Sequence, residues 1–285
     1  MNPHLKKILI IFLTLFTVLT CYATANAYVL PGPYILELAA EKSGKGKKLF
    51  ISQKVFLYNT GIMDETIEVE EIIRCMPPDG FRSDISSETG DKIFAESSGQ
   101  NITIIDGEIT TDNVQTLFDH YIYILLCRDP IYFQEKLSLL GIDVSISSLG
   151  RFQDKIAYVL GAQYPEKTLP QLWIEKNTFR PLRLILANEN GQKLNVPFEI
   201  RYNSWQQTDG FWYPMHIEFY QNNILAREIH VDKIKVNPFF PENLFDIEHL
   251  KSIHLPPEPA KQQGFESKEL EDVQKTIEEF RKIFE

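Results

Sequence analysis

The stretch YPMHIEFYQNNILAREIHVD, residues 213–232, brings together His216, His230, Glu218, Glu228 and Asp232. Two imidazoles with nearby carboxylates are donors that zinc accepts, and a histidine beside a carboxylate can also act as an acid–base pair. Strand parity gives these residues a different meaning. If Gln221-Asn222-Asn223 turns a hairpin, the odd positions read Tyr213, Met215, Ile217, Phe219, Leu225, Ile229 and Val231, interrupted by Arg227, while every member of the polar group is even. A three-residue turn pairs His216 with Glu228 and sets His230 diagonal to His216. The polar group then marks the solvated face of a sheet, and no metal site is expected there.

Other chemical signatures are missing. The sequence has no HExxH, GxSxG, P-loop or GxGxxG motif. Glu68, Glu70 and Glu71 lie on a segment, ETIEVEEIIRC, whose alternation points two of them outward. Cys75 and Cys127 have no neighbouring base, although an exported chain matures where disulfides persist and these two can pair. No catalytic residue and no cofactor are expected.

The elements that carry these residues begin with an export signal. Lys6 and Lys7 precede the apolar run ILIIFLTLFTVLT, and Ala25-Asn26-Ala27 supplies the small-x-small pattern for cleavage after Ala27. Thr20 precedes Cys21, so the lipidation pattern of a bacterial lipoprotein is absent and Cys21 leaves with the signal. The whole chain has 29 basic and 39 acidic residues; losing Lys6 and Lys7 leaves 27 against 39, a net charge of −12. Such a balance disfavours nucleic acid and anionic surfaces as bulk electrostatic partners.

Strands are expected at Lys47–Tyr58 and Glu65–Cys75, turning at Asn59-Thr60-Gly61, then at Lys92–Glu96 and Asn101–Ile105. Val114–Leu140 changes to spacings of three and four and predicts two helices broken at Asp129-Pro130. Strands resume at Arg151–Ala162, Leu169–Lys176, Phe179–Ala187, Val196–Trp205, Phe211–Tyr220 and Ile224–Val236. Beyond them Leu255-Pro256-Pro257-Glu258-Pro259 opens a stiff linker over residues 255–266. Ser267 then caps an amphipathic helix over 267–285 with Leu270, Val273, Ile277, Phe280 and Phe284 on one stripe. The fold class is α+β, an antiparallel sheet with one apolar side that the helices cover, around either a packed core or a cavity.

Three segments also carry a family resemblance. LPQLWIEKNTFRPLRLIL (Leu169–Leu186), SLGRFQDKIAYVLGA (Ser148–Ala162) and FWYPMHIEFYQNNILAREIHVDKIKVNPFFPENLFDI (Phe211–Ile247) resemble strand pairs of the LolA/LolB/RseB-like superfamily of periplasmic lipoprotein-binding proteins. The resemblance implies an unclosed antiparallel half-barrel over residues 28–254, capped by helices. It also implies a periplasmic carrier whose cavity holds the acyl chains of lipoproteins or lipids on their way to the outer membrane. An inner-membrane transporter or a membrane-bound receptor would be its partner. An RseB-like sensor acting through a membrane partner is the alternative, favoured by the added terminal helix. On this reading Trp173, Leu182, Leu184, Ile217, Phe219, Leu225 and Ile229 are the lipid-lining candidates. The linker and terminal helix depart from the carrier pattern, and neither Arg74 nor Arg82 matches the carriers' functional arginine.

Overall fold

The computed structural model describes residues 29–58, 66–88, 90–110, 117–189 and 192–254. The signal segment, the Asn59-Thr60-Gly61 turn, the Pro-rich linker and the terminal helix fall outside the described residues. Two compact units divide the chain, Met1–Leu30 and Pro31–Glu285, and the second holds every element given below.

Helix α1 is Gly32–Lys42, and strands β1 (Leu49–Leu57), β2 (Ile67–Met76), β3 (Gly80–Ser87), β4 (Gly90–Ser97), β5 (Gln100–Ile105) and β6 (Glu108–Thr110) follow it. A short 3-10 turn, Leu117–Asp119, leads into α2 (His120–Leu126) and α3 (Pro130–Leu139). The second half runs β7 (Ser147–Phe152), β8 (Lys155–Leu160), β9 (Gln171–Glu175), β10 (Pro181–Glu189), β11 (Gln192–Thr208), β12 (Phe211–Gln221) and β13 (Ile224–Val236), and ends in α4 (Ile247–Ile253). All thirteen strands form one antiparallel sheet in the order β6-β5-β4-β3-β2-β1-β13-β12-β11-β10-β9-β8-β7. The two edge strands, β6 and β7, do not pair, so the sheet is an unclosed half-barrel, and β13 joins its two halves through β1.

Local chemistry accounts for most of these boundaries. Asp129 caps α3 by accepting from the Tyr132 amide, and Pro130 sits where the first turn has no need of its missing donor. Gly141 follows α3 with φ of 77°, which closes the helix. In β1 alternate residues are buried, which is the expected pattern for a strand with one covered face. Several strand assignments from sequence need correction. The expected strand Arg151–Ala162 is a hairpin, β7–β8, turning at Gln153-Asp154, where both residues have positive φ. Strands β3 and β6 and helices α1 and α4 were not expected. The β12–β13 turn is also shorter than expected, with Gln221 paired to Ile224 across Asn222-Asn223.

The register of direct cross-strand partners sorts the two faces. One row runs Leu160, Leu172, Leu184, Ile200, Phe219, Arg227, Leu57, Ile67. The neighbouring row runs Val159, Trp173, Arg183, Arg201, Glu218, Glu228, Phe56, Glu68. Directly paired residues share a face and sequence neighbours alternate, so the two rows lie on opposite sides. Helices α1 and α2 cover the first side: Tyr121 of α2 meets the Phe219 ring edge-on at 5.6 Å, and a Cβ on Gly32 of α1 would come within 3.4 Å of the Leu160 side chain; α4 packs on the other side, against Ala95, Ile102 and Ile104. Helix α1 packs in turn on α3, burying Ile35, Leu36, Ala39 and Ala40.

Candidate functional site

The histidine group has a different register from the expected one. The shorter turn and a bulge between Phe219 and Tyr220 together shift the pairing by two residues, so His216 stands directly opposite His230 and Glu218 opposite Glu228. The two imidazoles meet edge to face at 4.8 Å. His216 Nε2 is 2.9 Å from Glu228 Oε1, and Tyr58 donates to the other oxygen of the same carboxylate. Ligand atoms from His216, Glu228 and His230 all lie within 4.8 Å of one another, so this is the group of described residues that could gather round a metal ion. Hydrogen bonds from Tyr58 and His216 hold the Glu228 carboxyl below its ordinary range against the opposing effect of partial burial. The group lies on the outward face, with Glu228 held by Tyr58 and His216, and His230 packed against the rings of His216 and Phe56.

Arg227 faces inward with Phe219, its direct cross-strand partner. This guanidinium is buried beside Phe219, 5.1 Å from its ring centroid, and its Nη2 lies 3.8 Å from Glu71 Oε2. Glu71 also accepts from Gln53 Nε2 at 2.6 Å and from Ser83 Oγ at 2.6 Å, and Gln53 reaches the Tyr121 hydroxyl at 2.8 Å. Burial, and next the Glu71 charge, hold the Tyr121 hydroxyl well above its ordinary pKa. This buried network ties α2 to strands β1, β2, β3 and β13. Sequence reasoning missed it, although Arg227 breaking the odd apolar series was its visible trace.

The expected lining residues divide into three groups. Leu184, Ile217, Phe219 and Ile229 lie on the helix-covered face, fully buried. Phe118, Phe198 and Tyr121 surround Phe219, so this region is packed core. Trp173 lies on the opposite face. Leu182, in the irregularity between the pairings of Pro181 and Arg183, packs with Trp173, Ala157, Val159 and Ala162. Tyr164, from the loop between β8 and β9, meets the Trp173 ring at 5.9 Å, and Trp173 Nε1 donates to Gln171 at 2.8 Å. Leu225 pairs with Tyr220 beyond the bulge and is half-buried. The seven expected lining residues are thus split over the two faces of the sheet. The physical reason is the pair of strand irregularities, since each one reverses the parity from which the faces were read.

Open space of ligand size lies elsewhere. A cleft of 490 Å³ runs between the β2–β3 turn (Pro77, Pro78), Phe81, the β4–β5 turn (Ser98, Gly99) and the junction of α2 and α3 (Tyr123, Leu126, Arg128, Tyr132). That volume falls in the roughly 300–1,000 Å³ range of small-molecule sites. Cys75 and Cys127 both lie on its wall as buried free thiols, so the pairing the sequence allowed is not formed in this structure. Burial pushes each thiol up to about 12, which keeps both neutral at physiological pH. A second, more open groove of 600 Å³ involves Phe50, Arg74, Arg82, Lys235 and Phe239. There Asp84 answers both arginines, accepting from Arg82 Nη2 at 2.7 Å and from Arg74.

No protein-family model matches the chain, and no curated protein matches its sequence. Solved structures do share its architecture. A domain assigned to the outer membrane lipoprotein-sorting proteins of Vibrio parahaemolyticus aligns with a TM-score of 0.50 at 13% identity, over 75% of this chain and 97% of that one. A DUF1329 family protein from Desulfovibrio piger gives 0.50 at 8% identity, over 78% and 100%. A LolA superfamily protein from Nitrosomonas europaea gives 0.47 at 12% identity, over 78% and 100%. The open antiparallel half-barrel with packed helices is therefore the fold this chain has in common with the Vibrio lipoprotein-sorting domain and the Desulfovibrio protein.

Proposed function

We propose that the chain is a non-enzymatic periplasmic carrier that binds the acyl chains of lipoproteins or lipids, with the signal segment removed after Ala27. The observation that carries this reading is the cleft between the β2–β3 turn and the α2–α3 junction. Pro77, Pro78, Phe81, Tyr123, Leu126 and Tyr132 give it apolar walls, on a fold like that of the Vibrio lipoprotein-sorting domain. An acyl chain of roughly sixteen carbons exposes on the order of 12 kcal/mol of unfavourable surface to water, at about 0.8 kcal/mol per methylene. A protein that moves such a chain across an aqueous compartment must enclose it. The neutral thiols, and a Glu228 carboxylate already held by Tyr58 and His216, fit holding a cargo rather than converting it. Delivery to a membrane-bound transporter or receptor belongs to the same reading.

Lipid extraction and mass spectrometry of the protein purified from its native periplasm test the proposal. A co-purifying acylated species near one per protein is expected. A folded protein that neither carries an acylated molecule nor takes one up in vitro would refute the carrier role.

A further inference from the structure

One cation in the cleft wall has no answering charge. Arg128, between α2 and α3, stacks its guanidinium over the Phe211 ring at 4.4 Å. Its Nη1 and Nη2 are buried and have no hydrogen-bond partner among the described residues. The titratable groups that act on it, Cys75 and Cys127, are thiols kept neutral by burial, and no carboxylate offsets the cost of burying this charge, which lowers the Arg128 pKa to about 10. At neutral pH the side chain is still a cation. Asp129, its neighbour, is occupied as the cap of α3. Asp79 and Glu96 also line the cleft, but neither bonds to Arg128 Nη1 or Nη2. Leaving a guanidinium buried without its hydrogen bonds is among the costlier arrangements in a folded protein, and an incoming carboxylate or phosphate would relieve it through charge-assisted, often two-pronged contacts.

We propose that Arg128 receives the anionic end of an amphiphile whose hydrocarbon part lies against Phe81, Tyr123, Leu126 and Tyr132, so that the cleft selects chains bearing a carboxylate or phosphate. The proposal rests on the carrier reading and adds the chemistry of the head group to it. It requires the guanidinium to turn from the Phe211 face toward the open side of the cleft. The Phe211 stack is a contact of modest strength that such an ion pair can replace.

The test is displacement of a fluorescent fatty acid from the purified chain by dodecanoate, dodecyl phosphate, dodecanol and inorganic phosphate, with circular dichroism on every variant. In the wild type the two charged amphiphiles should compete about tenfold better than dodecanol, the lower end of what one charge-assisted hydrogen bond provides. Inorganic phosphate alone should not compete. Arg128→Met should bring all three chains to the dodecanol affinity, and Arg128→Lys should keep part of the preference. Equal affinity for dodecanoate and dodecanol in the wild type would overturn the inference while leaving the carrier reading intact. A preference that survives in folded Arg128→Met would do the same. Competition by inorganic phosphate as strong as by dodecyl phosphate would make the site an anion site and overturn its assignment to amphiphiles. Failure of the wild type to bind any chain, dodecanol included, would remove the carrier reading and this inference together. Should Arg128→Met not fold, the wild-type comparison still decides.

Discussion

At the scale of single residues, two carboxylates show how position decides role. Glu228 is half-buried on the outer face, held by Tyr58 and His216, and its pKa is depressed. A depressed carboxyl contributes stability above its unfolded value, near 4.3, and loses it as pH falls through the folded value. Glu228→Gln should therefore be less stable than the wild type at pH 7, and urea melts should show the gap closing below about pH 4. Stoichiometric zinc is not expected in protein prepared without added metal, and a His216→Ala/His230→Ala double variant should carry cargo as the wild type does. Glu71, by contrast, is buried among Gln53, Ser83 and Arg227. Removing it takes the buried Arg227 guanidinium's carboxylate away and leaves the Ser83 hydroxyl without its acceptor. Glu71→Ala should cost about 3 kcal/mol or more in chemical denaturation. Of these two sites only the outer one was legible in the sequence. The odd and even positions of residues 213–232 separated polar from apolar and left Arg227 on the apolar side, but the shorter turn and the one-residue bulge together exchanged the opposite and diagonal partners of His216, and the buried partners of Arg227 come from strands distant in sequence.

At the scale of elements, the turns and irregularities control the outcome. Asn222 and Asn223 both have positive φ, 53° and 61°, and form the two-residue connection between β12 and β13. That conformation suits the right-handed twist of the flanking strands and is best served by Asn-Gly. Asn223→Gly should raise stability by about 0.5 kcal/mol, read as a shift in the urea midpoint with an unchanged slope. The central helices were legible because Leu117, Phe118, Tyr121 and Leu125 recur at helical spacing and Pro130 starts a new segment. Helix α1 was not legible. Its buried positions Ile35, Leu36, Ala39 and Ala40 make a narrow stripe of partly small residues, and its N-terminus has no side-chain cap. Strand β3 was missed because its buried positions include Gly80 and Ser83 in place of large apolar residues. The expected lining residues fall on two faces because one irregularity beside Leu182 and another between Phe219 and Tyr220 each reversed the local parity.

At the scale of the whole molecule, the half-barrel is filled where a cavity was expected and open at one end. Phe219 is fully buried between Phe118, Phe198 and Tyr121. Phe219→Asp should unfold the protein, costing about 4 kcal/mol or more. Tyr132, which is 38% exposed on the cleft, tolerates change better. Tyr132→Asp should leave the circular dichroism spectrum unchanged and weaken cargo binding, which separates the cleft from the core. The resemblance legible in the sequence led to the correct architecture, while the location of free space depended on side-chain packing that periodicity does not encode. The measurement that tests the central claim most directly is photo-crosslinking of a diazirine-bearing fatty acid to the wild-type protein, with the modified peptides mapped by mass spectrometry. Labels are predicted on Phe81, Tyr123, Leu126 or Tyr132; labelling confined to the Trp173 and Leu182 face, or saturable binding with no label near the α2–α3 junction, would contradict it.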